Sequence, residues 1–204
     1  MKSKKILLLS RDVSVNEILP SLQKFGDVTV FNEIIDDRNL GRLLGHDVAV
    51  SYSYGPIISA PILKALSCDV LNVHPTFLPI GRGIYPIVWA AFEGNPQGAT
   101  IHKIESGIDT GAIYVRQSIV LEDSCTLDQA REILISAAKY LLLTNLIQIM
   151  SGVMAPVQQS EFSPPQRYRS KSDGLELMEH FPNKWNTTIG EVRSLGVSNR
   201  KENK

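Results

Sequence analysis

The sequence predicts an α/β fold: a Rossmann-like, mostly parallel sheet with helices on both faces, followed by a short C-terminal extension. Three observations predict it. Short apolar runs recur at residues 5–10, 28–31, 47–53 and 69–73, and helical or loop stretches separate them. The 204 residues and 43% hydrophobic content suit one core of this size. Strands spaced by such crossovers pair in parallel and are covered on both sides.

Residues 5–10 read as the first buried strand. The stretch opens like a leader peptide, yet its apolar run is only Ile6 to Leu9, and Arg11 and Asp12 follow at once. Residues 13–25 have the spacing of an amphipathic helix ended by Gly26, and residues 28–31 form a second strand. Residues 36–44 read as a weak helix, with Asp36 and Asp37 at its solvated start. Residues 47–53 make the third strand, 61–66 a short helix with proline near its start, and 69–73 the fourth strand. Crossovers in such a sheet are right-handed, and ligands collect beyond the carboxyl ends of the strands. Asn72 and His74 fall there.

Residues 75–84 hold two prolines and two glycines and must be a shaped loop. A helix over 85–93 ends at Gly94, and strands at 99–104 and 112–121 form a hairpin around residues 106–111. The longest helix spans 126–150. Thr126 is its N-cap, Asp128 and Glu132 favour its positive end, and Leu127, Ala130, Ile133, Leu134, Ala137, Ala138 and Leu141 form its sheet-facing stripe. The expected division is a catalytic domain at 1–155 and an extension at 156–204. That extension reads as loop from Ser163, then a polar helix or two, then a disordered charged tail at 199–204.

Lys plus Arg and Asp plus Glu both total 21, a balance that argues against a general nucleic-acid binder. Cys68 and Cys125 are the only cysteines and His46 and His180 lack neighbours at ligand spacing, so neither a disulfide scaffold nor a metal site is expected. No apolar run approaches the length that crosses a bilayer, and the expectation is a cytoplasmic protein without a membrane partner.

Asn72-Val73-His74 places an amide and an imidazole on one face of an extended chain, where both can address one point. Asp109 lies on a turn beside glycines, where backbone can come close to a small molecule. Amide and imidazole suit the oxyanion of an acyl-transfer intermediate, and the carboxylate can orient the imidazole and accept a proton. His102 falls on a strand near this point, to support the loop or simply to pack.

The ordered blocks 71–79, Arg82-Gly83, Pro86, 98–102 and 107–111 resemble the folate-dependent formyltransferase family. The resemblance implies the formyltransferase fold, with Asn72, His74 and Asp109 as the catalytic trio. It implies 10-formyltetrahydrofolate as donor, held in a slot made by Tyr54, Gly55, Pro56, Ile57 and Ile58 on one side and Ile104, Glu105, Ser106, Gly107 and Ile108 on the other. Pro86-Ile-Val-Trp89 and the late Trp185-Asn-Thr-Thr188 are most similar to compact sugar N-formyltransferases, which act on nucleotide-linked amino sugars for surface polysaccharide. Arg11, Arg82 and Tyr85 are then candidates for the nucleotide, and a homodimer is compatible. The stretch after the first strand lacks the glycines of the purine-pathway relatives, and no basic surface or further barrel of the methionyl-tRNA type is visible. Formylation of an aminoacyl group and hydrolysis of formyltetrahydrofolate are the alternatives.

Overall fold

A computed structural model describes residues 3–162 and 168–202. Six strands form one sheet in the order β2-β1-β3-β4-β5-β6. The strands are β1 (Lys5–Ser10), β2 (Asp27–Phe31), β3 (Val48–Tyr52), β4 (Asp69–His74), β5 (Gln97–Lys103) and β6 (Ile113–Ile119). β1 pairs in parallel with β2 and β3, and β3 with β4, while β5 and β6 run antiparallel. The predicted mostly parallel sheet and its terminal hairpin are both present.

Alternation along the strands sorts the core into two faces. Ile6, Leu8, Val50, Leu71 and Val73 pack with α1 (Asp12–Leu22) and α4 (Leu127–Met150). Leu7, Leu9, Ala49 and Val70 pack on the other face with Leu66 of α2 (Ala60–Leu66) and with Leu43. Asn72 alternates with Val73 and so belongs to this second face, over which the candidate site opens. A third cluster joins α3 (Pro86–Glu93), the start of α4, α5 (Lys171–Glu179) and α6 (Ile189–Glu202).

Several boundaries differ from expectation for local reasons. α1 ends at Leu22 rather than at 25, because the Lys24 and Phe25 N–H groups bond three residues back, to the Ser21 and Leu22 carbonyls at 3.4 and 2.9 Å, and tighten the chain into turns. The weak helix at 36–44 reduces to a 3-10 turn, Leu40–Leu43. Upstream, the Asn39 side chain accepts from the Asp36 N–H at 3.0 Å and donates to the Ile34 carbonyl at 2.9 Å, and such bonds compete with helix formation. Asp36 accordingly begins a turn, not a helix.

Thr126 caps α4 through a reciprocal pair with Gln129 at 3.2 and 3.0 Å. Its buried stripe is Leu127, Ala130, Leu134, Ala138, Leu141, Leu142, Leu146 and Ile149, whereas Ile133 is 45% exposed and does not belong to it. α4 has 24 residues and contains an 18-residue window with a mean hydropathy of 1.6, so it meets the length and composition of a bilayer span, against the expectation that no run would. Its buried face lies on β4, β5 and β6.

The expected loop at residues 163–167 lies outside the described residues. The charged tail begins as helix, since α6 runs to Glu202, and only Asn203 and Lys204 of it fall outside. The C-terminal segment is stitched into the rest of the chain by β-bridges from Val157 to Ile113, Arg169 to Gly83 and Thr188 to Thr126.

Candidate active site

β4 ends at His74, and antiparallel pairing with β5 sets Asn72 directly opposite His102 and His74 opposite Thr100. Cross-strand neighbours of this kind lie within side-chain reach. Asn72 Nδ2 lies 3.1 Å from His102 Nε2 and 3.5 Å from Asp109 Oδ1. His102 Nδ1 donates to the Lys103 carbonyl at 2.7 Å, so its Nε2 presents a lone pair to the Asn72 amide. The tautomer of His102 therefore orients the amide, with N–H toward the ring and the carboxylate.

Asp109 sits on the turn between β5 and β6 with φ of 52°, a left-handed conformation for a residue with a side chain. Its carboxylate lies 3.8 Å from His74 Nε2 and 3.8 Å from His102 Nε2, too far for direct hydrogen bonds. The Gly83 N–H donates to Oδ2 at 3.3 Å. Burial pushes the Asp109 carboxyl up, but His74, His102, the Gly83 N–H and Arg82 together hold it below the usual carboxylate value. Two turns of backbone close in here: a Cβ on Gly111 would stand 2.0 Å from the Lys103 carbonyl oxygen, so only glycine fits.

Among the described residues, His74 Nε2 is buried without a hydrogen-bond partner. Buried polar atoms are normally paired. An orphan 3.8 Å from a carboxylate oxygen suits a reacting oxygen or a water that bridges the pair from one side.

Burial and the charge of His74 push His102 down to about 4, so it is neutral at ordinary pH. Its unfolded value is near 6.5, so between pH 6.5 and about 4 the unfolded chain binds the extra proton and stability falls with acidification. In thermal melts from pH 7 to 4.5, His102→Gln is expected to lose less stability than the wild type. Parallel slopes would contradict the assignment.

Two cavities meet at Asn72. The first, of about 170 Å³, is lined by Tyr54, Pro56, Ile57, Ile58 and residues 104–109. It coincides with the slot expected for the donor, except that Gly55 turns away: a Cβ there would come within 2.7 Å of the Arg11 guanidinium. The Tyr54 hydroxyl bonds the Glu33 carbonyl, leaving its ring for the cleft. The second cavity, of about 240 Å³, shares Asn72 and Tyr54 and reaches across Tyr52 and His74 to Ile135 of α4. Beneath it, Tyr52 donates to Glu17 at 2.9 Å, which together with burial keeps the phenol protonated.

The three candidate nucleotide contacts are placed differently from one another. Arg11 is exposed, lies over Gly55, and its guanidinium has no partner among the described residues. Arg82 is 9% exposed and donates through Nε to Gln159 at 3.1 Å. Tyr85 stacks edge-on against Trp185, 5.6 Å between ring centres, in the helical cluster, and it lines neither cavity at Asn72. Gln159 and the Gly83 N–H contact Asp109 and were not among the site residues expected from the sequence. Gln159 lies in a stretch with no periodicity or motif, so nothing local could have revealed it.

Residues 23–146 match the family described as formyl transferase. A methionyl-tRNA formyltransferase of Synechococcus sp. (strain JA-3-3Ab) is 31% identical over 119 residues, 58% of this chain and 37% of that protein. One from Anaeromyxobacter dehalogenans (strain 2CP-C) is 32% identical over 143 residues, 68% of this chain and 45% of that protein. The chain thus spans less than half the length of these curated relatives. Among solved structures, the formyltransferase PseJ from Anoxybacillus kamchatkensis, in complex with UDP-4,6-dideoxy-4-formamido-L-AltNAc and tetrahydrofolate, has a TM-score of 0.82 and 26% identity over 94% of this chain and 99% of that one. A 4-N formyltransferase from Francisella tularensis shares the fold, with a TM-score of 0.76 and 19% identity over 93% of this chain and 86% of that one.

Proposed function

The chain belongs to the formyl transferase family, and from that premise we propose that it moves a formyl group from 10-formyltetrahydrofolate to the amine of a nucleotide-linked amino sugar. The observation that carries this reading is the meeting of two cavities at Asn72, with His74 and Asp109 facing the junction. A donor in the first cavity and an amine in the second would be brought together there.

The first cavity fits a folate. Apolar residues Pro56, Ile57 and Ile58 make one wall, and the backbone of 104–108 offers donors and acceptors to a heteroaromatic edge. Bound there, 10-formyltetrahydrofolate supplies an activated formyl carbon and departs as tetrahydrofolate. His74, through its unpartnered Nε2, and the Asn72 N–H that reaches Asp109 only at 3.5 Å, and would turn from it to the substrate, would hold the developing oxyanion. Asp109, kept ionised, would take the proton shed by the attacking amine.

The sugar-nucleotide acceptor is favoured by the similarity to PseJ, which extends over nearly the whole of both chains. Arg11 lines neither cavity but is exposed beside Gly55, next to Tyr54 and Pro56 of the first, and is the residue we assign to acceptor phosphates. Arg82 is committed to Gln159, and Tyr85 to Trp185. A second reading, formylation of an aminoacyl group, is favoured by the 31% identity to a methionyl-tRNA formyltransferase.

The test is to incubate the protein with 10-formyltetrahydrofolate and a panel of nucleotide-linked amino sugars, alongside methionyl-tRNA. Mass gain of one formyl group on a sugar nucleotide is expected. Gain on methionyl-tRNA alone supports the second reading, and tetrahydrofolate release without any acceptor supports a hydrolase; either would sink the sugar assignment.

A further inference from the structure

Asp109 is held by a residue that lies well outside the blocks carrying the family resemblance. Gln159 stands fifty positions further along the chain, on the 3-10 turn Gln159–Glu161, and is 3% exposed. Its amide nitrogen donates to the Asp109 carbonyl at 2.8 Å and to the Gly111 carbonyl at 2.8 Å. Its amide oxygen accepts from both Nε and a terminal nitrogen of Arg82. Both N–H groups and the oxygen of this buried amide are therefore engaged. The opposite flip would set its oxygen on two carbonyls and its nitrogen on a guanidinium, so its orientation is determined by its partners.

The same C-terminal segment grips the loop on the other side of the carboxylate. The Arg169 N–H donates to the Arg82 carbonyl at 3.2 Å, and the Ile84 N–H donates to the Arg169 carbonyl at 3.0 Å. Between these two bonds lies Gly83, whose N–H meets Asp109 Oδ2. Gln159 and Arg169 thus hold both the backbone under Asp109 and the loop donor to its side chain.

We propose that Gln159 is a positioning residue: it clamps the left-handed turn at Asp109 and thereby places the carboxylate opposite His74, while Arg82 acts through Gln159 to set the amide rather than on an anionic ligand. The loss of turnover expected below rests on the formyl-transfer reading. The carboxylate's placement does not, and can be measured without turnover.

Gln159→Glu separates these roles. The new carboxylate still accepts from Arg82 but cannot donate to the two carbonyls, and it adds a negative charge near Asp109. The titratable and charged groups facing Asp109 are His74 from β4, His102 from β5 and Arg82 from the loop, with Glu105 on its own turn bonded to the Ala112 N–H at 3.5 Å. Gln159→Met removes all the amide bonds without adding charge. For both variants kcat is expected to fall roughly 10- to 100-fold with the donor KM within about threefold. In Gln159→Glu the Asp109 carboxyl, followed by carbon-13 NMR, should titrate at higher pH. Amide exchange of Thr110 and Gly111 should quicken in both.

Lowered melting temperature with wild-type turnover per folded molecule would reduce Gln159 to a structural residue and overturn the proposal, as would an unchanged Asp109 titration. If Gln159→Glu does not fold, Gln159→Met carries the kcat and exchange measurements, and wild-type values there overturn it equally. A wild-type protein inactive toward every acceptor, in which the variants still shift the turn's exchange, would refute formyl transfer and leave the clamp standing.

Discussion

Asp109→Asn is expected to lower turnover by roughly 10²- to 10⁴-fold, the usual contribution of a positioned general base. The substitution keeps the size of the side chain and an oxygen for the Gly83 N–H, now at 3.3 Å from Oδ2. What it removes is the charge that faces His74 and His102, each 3.8 Å away. The wild-type carboxyl is held below its ordinary value, so it is ionised throughout the neutral range and available to accept a proton. Because the substitution leaves the size of this lining side chain in the first cavity unchanged, equilibrium binding of tetrahydrofolate should change little. Steady-state kinetics with a saturating donor would decide it, and turnover equal to the wild type would falsify the role of Asp109.

Asn72→Ala is expected to cost about 10²- to 10³-fold in kcat, the loss seen when one oxyanion donor is removed. It also leaves His102 Nε2, now 3.1 Å from the Asn72 amide, without its partner in a buried place. Asn72→Asp should be worse. That variant sets a second carboxylate about where the amide nitrogen now lies 3.5 Å from Asp109 Oδ1, and two such groups do not both ionise readily. Measured KM for the donor should move much less than kcat in Asn72→Ala. A kcat within threefold of the wild type in that variant would remove Asn72 from the oxyanion site.

Much of the frame was legible because it depends on local rules. β1 appears at the predicted residues, and β2, β3 and β4 within a residue or two of theirs, since short apolar runs bounded by turns leave few alternatives. The hairpin around 106–111 and the cap at Thr126 followed from turn and capping chemistry. The misjudged places are those where side chains outcompete a weak local preference. Asn39 and Asp36 tie the chain into a turn where a helix was expected. Ile133 fits a helical stripe by spacing yet faces outward, because only packing selects which side of α4 meets the sheet.

The candidate site divides in the same way. By itself the sequence determined that Asn72 and His74 share a face, since strand periodicity depends on nothing but the backbone. It also placed Asp109 on a glycine-flanked turn, and through the family resemblance it named these three residues together. Only the tertiary structure decided that His102 pairs across from Asn72 and sets its amide, that Arg82 is spent on Gln159, 77 positions away, and that Tyr85 packs on Trp185 rather than at the cavities. Local sequence restricts a residue's own dihedrals and its near neighbours. Which distant groups then fill a buried donor's or acceptor's needs is chosen when strands pair and loops close, because each such group must find a partner wherever packing brings one.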